Sequence, residues 1–168
     1  MKKVLFSLLA LSLMIQVAHA ANDPKLIANY GDWNAYSFLD NGSKVCFMSS
    51  QPQKQEGKFT KRGEVFMFVT HWPAEKTRNV VSISTGYPYK ENSSASVTVD
   101  GKDFPMFTQG EMAWTRDQAT DDAIAGALQT GSSLTVKGTS KRGTETVDTY
   151  GLKGSAEAYK AISKECGL

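Results

Sequence analysis

Histidine is almost absent from this chain, with only His19 and His71 among 168 residues. That scarcity excludes a His-rich metal site and any H-E-x-x-H zinc centre. Cysteine is equally sparse. Cys46 and Cys166 stand far apart with no C-x-x-C between them, which disfavours a thioredoxin-like redox centre. The chain has no G-x-G-x-x-G, no P-loop, no EF-hand loop and no G-x-S-x-G nucleophile elbow. No cofactor is expected. Beyond residue 20, no apolar stretch approaches the roughly 20 residues of a spanning helix, so no transmembrane segment is expected.

The first twenty residues read as a secretory signal. Lys2 and Lys3 precede an apolar stretch from Val4 to Val17, and Ala18-His19-Ala20 offers the small-x-small pattern of signal peptidase. Cleavage is expected between Ala20 and Ala21, leaving residues 21–168 as one domain. The leader holds two lysines and no acid, so the remaining chain balances 17 basic against 17 acidic residues. A neutral domain gives no bulk electrostatic reason to bind nucleic acid. In an oxidising compartment the two surviving cysteines are expected to form a Cys46–Cys166 disulfide. Closing a loop of about 120 residues would stabilise by about 4–5 kcal/mol on the chain-entropy model.

The pattern is that of a mainly β, antiparallel, sandwich- or barrel-like domain with two short helices. Strands are expected at Trp33–Phe38 and Lys44–Ser49, split by the turn cluster Asp40-Asn41-Gly42-Ser43. Glu64–Trp72 is apolar on both faces and predicts a central strand, and Asn79–Thr85 follows it. Val97–Val99 and Lys102–Phe107 flank Asp100-Gly101, whose residues suit a type I′ hairpin turn. Leu134–Lys137 and Thr144–Leu152 predict two further strands. One helix is expected around Thr120–Gln129, with Gly131 as its stop. A second begins near Ser155, read as its N-cap, and aligns Tyr159, Ile162 and Cys166 on one face. That face is expected to pack on the sheet and carry Cys166 toward Cys46. Gln51–Gly63 and Tyr87–Ser96 read as long polar loops.

Two clusters suggest contact surfaces. Lys54, Lys58, Lys61 and Arg62 form a basic loop suited to an acidic partner or a glycan phosphate. Tyr87 and Tyr89 around Pro88 could present aromatic anchors of the kind that dominate interfaces. His71, ending an apolar strand, leaves room for a hydrolase reading in which it pairs with a serine. A third reading is a small-molecule carrier that uses an apolar cavity inside the β-domain.

Several segments in order resemble the invasion-associated locus B family. They are Tyr30-Gly31-Asp32-Trp33, Val45-Cys46-Phe47-Met48, Arg62-Gly63-Glu64-Val65, Thr70-His71-Trp72-Pro73-Ala74-Glu75-Lys76 and Lys137–Thr144. Asp148-Thr149-Tyr150-Gly151-Leu152-Lys153-Gly154 and Ala158–Ile162 complete the series. The resemblance implies an exported, compact β-domain of the bacterial envelope, periplasmic, secreted or associated with the outer membrane. The family takes its name from a locus linked to host-cell entry, which defines no biochemical activity. Beside the hydrolase and carrier readings, the leading expectation is a non-enzymatic interaction domain with an envelope or host protein as partner.

Overall fold

Eleven antiparallel strands hydrogen-bond into a single sheet in the computed structural model, which describes residues 23–168. The leader and the Ala20–Ala21 cleavage point lie outside the described residues. The strands are β1 (Lys25–Tyr30), β2 (Trp33–Asp40), β3 (Ser43–Ser50), β4 (Lys54–Gly57), β5 (Phe66–Trp72) and β6 (Thr77–Ser84). They continue with β7 (Ser94–Val99), β8 (Lys102–Gln109), β9 (Met112–Trp114), β10 (Leu134–Thr139) and β11 (Glu145–Tyr150). Two helices, α1 (Gln118–Thr130) and α2 (Ser155–Glu165), complete the fold. The strand order is β1-β2-β3-β5-β6-β9-β8-β7-β10-β11-β4, so β1 and β4 remain edges and the sheet is not closed into a barrel. The mainly β, antiparallel domain with two helices therefore forms as the sequence predicts, but from one sheet.

Period-two alternation determines which side chains face inward. Trp33, Cys46, Met48, Met67, Val69, Val81, Ile83, Val97, Met106 and Val136 point to one face and are buried there. The helices cover that face, α1 over β6 and β7 and α2 over β1, β2 and β3. Both predicted turn dipeptides adopt positive φ: Asn41 and Gly42 at 48° and 82°, Asp100 and Gly101 at the same values. These are the angles a two-residue type I′ hairpin requires.

The open sheet nearly meets itself where the β1–β2 turn faces the segment after β11. Asp32 donates its backbone N–H to Lys153 O at 3.0 Å, and the Trp33 indole N–H donates to Gly151 O at 3.0 Å. Packing is so close that a Cβ on Gly154, which has φ of +87°, would sit 1.7 Å from Tyr30 O. Only glycine fits both that conformation and that gap. Gly154 is therefore the cap of α2. Ser155 is not the N-cap that its residue type suggested, because its hydroxyl is drawn elsewhere, donating toward Leu128 O (2.6 Å) and Leu152 O (2.8 Å).

Three strands escape the sequence pattern. β1 is largely exposed, β9 has three residues, and β4 lies inside the segment read as a polar loop. β4 (KQEG) is exposed throughout and owes its conformation to pairing with β11, an effect of tertiary context over propensity.

The outer face of the sheet carries a row of partly exposed aromatics. Tyr36 stacks on Phe47 at 4.9 Å between centroids, Phe38 and Phe68 each meet Phe47 at 6.1 Å, and Phe66 meets Phe68 at 5.6 Å. Ser82 and Ser84 separate this group from Trp114 and Phe107, which stack at 5.7 Å.

Cys46 on β3 and Cys166 at the end of α2 form the expected disulfide, with Cα atoms 6.0 Å apart. Ile162 is fully buried on the same helix face, whereas Lys160 is exposed. Ile162→Ala is accordingly expected to lower stability by about 2–5 kcal/mol and Lys160→Ala by less than about 0.5 kcal/mol, measured by urea denaturation of the oxidised protein.

Candidate functional site

β4 brings its chain alongside β11, with Gln55 opposite Asp148, and the following residues fold back over the sheet toward β5. Within that return Arg62 turns inward. Its side chain is 3% exposed and that of Asp148 1%, and the two meet in a bidentate pair with both N···O distances at 2.6 Å. The Arg62 Nε–H also donates to Thr85 O at 2.7 Å. The Phe59 and Tyr87 rings lie 5.5 and 5.0 Å from the guanidinium carbon, in cation–π range. Burying two charges is tolerable only with such complete pairing.

The surrounding segments are fastened to the same point. Gly63 N–H donates to Gly86 O at 2.9 Å, and a Cβ on Gly86 would come within 2.5 Å of the Gly63 carbonyl. The Tyr87 hydroxyl bonds Thr146 Oγ1 at 2.6 Å. Lys141 N–H donates to Pro88 O at 2.7 Å, which ties the β10–β11 turn to the same floor. Burial pushes the Tyr87 and Tyr89 phenols up, so both stay neutral across the physiological range.

Above this floor opens a groove of about 610 Å³. Phe59, Tyr87 and Pro88 give it an apolar base, and Lys58, Lys61, Lys141 and Arg142 stand at its rim. All four rim cations are exposed, and among the described residues none has a carboxylate within 4.0 Å. Among the described residues, no acidic residue lines the groove. Glu145 shares the adjoining depression with Lys58 and Arg142.

The sequence-predicted surface is thus assembled in part. Lys58, Lys61, Arg62 and Tyr87 come together. Lys54 does not join them, being on β4 and paired with Glu56 at 2.9 Å. Two expectations need correction. Arg62 is the buried partner of Asp148 and adds no free charge to the surface. Tyr89 is a core residue, 5% exposed and packed against Tyr87 at 5.5 Å, because its inward phase places it under Gly138. Sequence reasoning missed Phe59, Lys141, Arg142 and Asp148. The inward alternation of Thr146, Asp148 and Tyr150 held the clue for Asp148, since an acid at a core position demands a cation.

His71 occupies a different region, fully buried beneath α2. Asn79 N–H donates to His71 Nδ1 at 3.0 Å, so Nδ1 carries the lone pair and Nε2 the proton. Nε2 therefore donates to Ser163 Oγ at 3.2 Å and is in the wrong state to draw a proton from it. Burial, with Arg78 nearby, lowers the His71 pKa from 6.5 to about 4. Asn79, in the left-handed conformation at φ 59°, also donates to Asp122 at 2.6 Å and accepts from the Tyr159 hydroxyl at 2.9 Å. This network fastens both helices to β5 and β6. The interior a carrier would need is occupied by Trp33, Met48, Met67, Met106, Leu128 and Ile162, all fully or almost fully buried.

The mainly β, antiparallel fold with two helices has a solved counterpart, and the sequence falls within a known family. The family model for invasion associated locus B (IalB) protein matches residues 33–163, and the chain belongs to that family. The crystal structure of invasion associated protein B from Bartonella henselae is similar, with a TM-score of 0.56 at 22% sequence identity. The match covers 82% of this chain and 97% of that one, and it establishes a shared fold. No curated protein matches the sequence.

Asp148→Asn leaves the Arg62 charge buried without its counter-ion and is expected to cost about 3–5 kcal/mol in a urea titration. The double variant Arg62→Met/Asp148→Leu is expected to cost clearly less than that single change. His71 gives a separate pH dependence. Its folded pKa lies below the unfolded value, so the unfolded state takes up the proton first as pH falls. Stability present above pH 6.5 is therefore lost toward pH 4, by up to about 3 kcal/mol. Asp121, whose pKa is raised by burial, acts in the opposite sense. The His71 part is isolated by comparing wild type with His71→Gln between pH 7 and 4.5, where the variant's profile is expected to be flatter.

Proposed function

We propose that this chain is an exported, non-enzymatic interaction domain of the bacterial envelope, periplasmic or displayed at the outer surface, contributing to host-cell contact. The observation that carries the reading is the groove, where four cations without acidic partners surround an aromatic base on a rigid floor. Such an arrangement is suited to holding a partner with an anionic surface and contains no nucleophile–base pair. Family membership, the signal-like leader and the disulfide support export and an envelope setting. His71, committed to Asn79 and Ser163, offers a hydrolase no available base.

A second reading has one observation in its favour. The uncharged aromatic row through Tyr36, Phe47 and Phe68 would suit a protein partner with a dry, apolar face. Photo-crosslinking in living cells distinguishes the two. A benzophenone amino acid placed at Lys141 is expected to capture an envelope or host-derived partner, and one placed at Phe47 is not. Capture only from Phe47 would move the contact to the sheet face, and capture from neither would remove the interaction reading. Intact-mass measurement of the protein recovered from the periplasm is expected to begin at Ala21. A retained leader would contradict export.

A further inference from the structure

We propose that the groove binds a saccharide bearing phosphate or sulfate groups. This rests on the interaction-domain reading only in placing the contact at the groove; the ligand class follows from the groove's own chemistry. The charge there is local. The chain beyond residue 20 is balanced at 17 against 17, Arg62 is neutralised by Asp148, and Lys44 and Lys54 elsewhere are paired with Glu165 and Glu56. Lys58, Lys61, Lys141 and Arg142 gather around one opening, and among the described residues none of the four has a carboxylate within 4.0 Å. Lysine ammonium and arginine guanidinium groups at that density select fixed, multiply charged oxyanions.

The base selects what the anion is attached to. Phe59 is 36% exposed and lines the groove together with Tyr87 and Pro88, apolar surface suited to the C–H face of a sugar ring. Hydroxyls of Thr60, Ser140 and Thr144 line the same opening and can pair with sugar hydroxyls. A volume of about 610 Å³ suits a small ligand of one or two rings. A single-stranded nucleic acid is a poorer match, since it stacks successive bases on several exposed rings and here Phe59, at 36%, is the one exposed ring lining the groove. The floor is already fixed by the buried ion pair and the Gly63–Gly86 and Lys141–Pro88 bonds, so little ordering accompanies binding.

Two sources share this chemistry: the phosphorylated glucosamine headgroup of a bacterial envelope lipid, and a sulfated glycan of a host surface. Calorimetry on the oxidised mature protein separates them, using a glucosamine disaccharide bisphosphate, a sulfated heparin disaccharide, the unsubstituted form of each, and oligothymidylate. At least one anionic sugar is expected to bind at least tenfold more tightly than its unsubstituted form, and which one identifies the source. Lys58→Glu/Arg142→Glu is expected to weaken it at least tenfold with an unchanged melting temperature, and Lys160→Glu to leave it unchanged. Phe59→Ala is expected to weaken it severalfold while keeping the salt dependence. Equal affinity for unsubstituted sugars, no effect of the double variant, or tighter binding of oligothymidylate would overturn the inference. If Lys141 captures a partner in cells and neither anionic sugar binds, the saccharide class is wrong and the interaction domain stands. If an anionic sugar binds and Lys141 captures nothing, the saccharide site stands and the macromolecular contact at the groove falls.

Discussion

The buried Arg62–Asp148 pair is the interaction around which one end of the molecule is organised. A guanidinium taken out of water must have its charge and its N–H directions answered together. The two oxygens of Asp148 and the carbonyl of Thr85 do so at 2.6 and 2.7 Å. That requirement pulls the chain after β4 inward, sets Tyr87 against the guanidinium and holds β4 beside β11 as an edge strand. The exposed lysines and Arg142 are then spaced by the backbone beneath them rather than by their own flexible stems. Surface cations held in this way lose less conformational freedom on meeting an anion than the same residues on a free loop.

The segments that resemble the family in sequence turn out to be halves of long-range contacts. Tyr30-Gly31-Asp32-Trp33 meets Gly151-Leu152-Lys153-Gly154 where the open sheet approaches itself. Arg62-Gly63 meets Asp148 and Gly86, and His71 lies edge-on to Tyr159 at 5.7 Å. Cys46 meets Cys166. A motif read along the chain gives no sign of its complement, yet here nearly every quoted segment supplies one side of a seam. The resemblance therefore describes what holds this fold in shape more than it describes an activity.

Regular elements were readable wherever burial is periodic. The central strand with Met67 and Val69 follows from its apolar run, the Asp100-Gly101 hairpin from its turn residues, and the face of α2 carrying Ile162 and Cys166 from helical spacing. What sequence could not supply depends on partners far along the chain. β4 is hydrophilic and becomes a strand because β11 offers a free edge. Arg62 looked like a surface charge beside Lys58 and Lys61, and only the inward phase of Asp148 makes it a core residue. Tyr89 looked like an exposed anchor, yet Gly138 leaves room for its ring, and a Cβ there would lie 2.7 Å from it. The candidate groove shared that limit, because half its rim comes from Lys141 and Arg142, some eighty residues beyond Lys58 and Lys61.

The covalent bond between β3 and the end of α2 spans 120 residues. A chain emerging from its N-terminus exposes Cys46 long before Cys166 exists to receive it. A molecule that stops short of the last helix therefore keeps a reactive sulfhydryl beside an uncovered apolar sheet. In an oxidising compartment that thiol remains open to mixed disulfides with other molecules. Oxidation thus acts as a record of completeness: a closed bond marks a chain that was made and folded to its end.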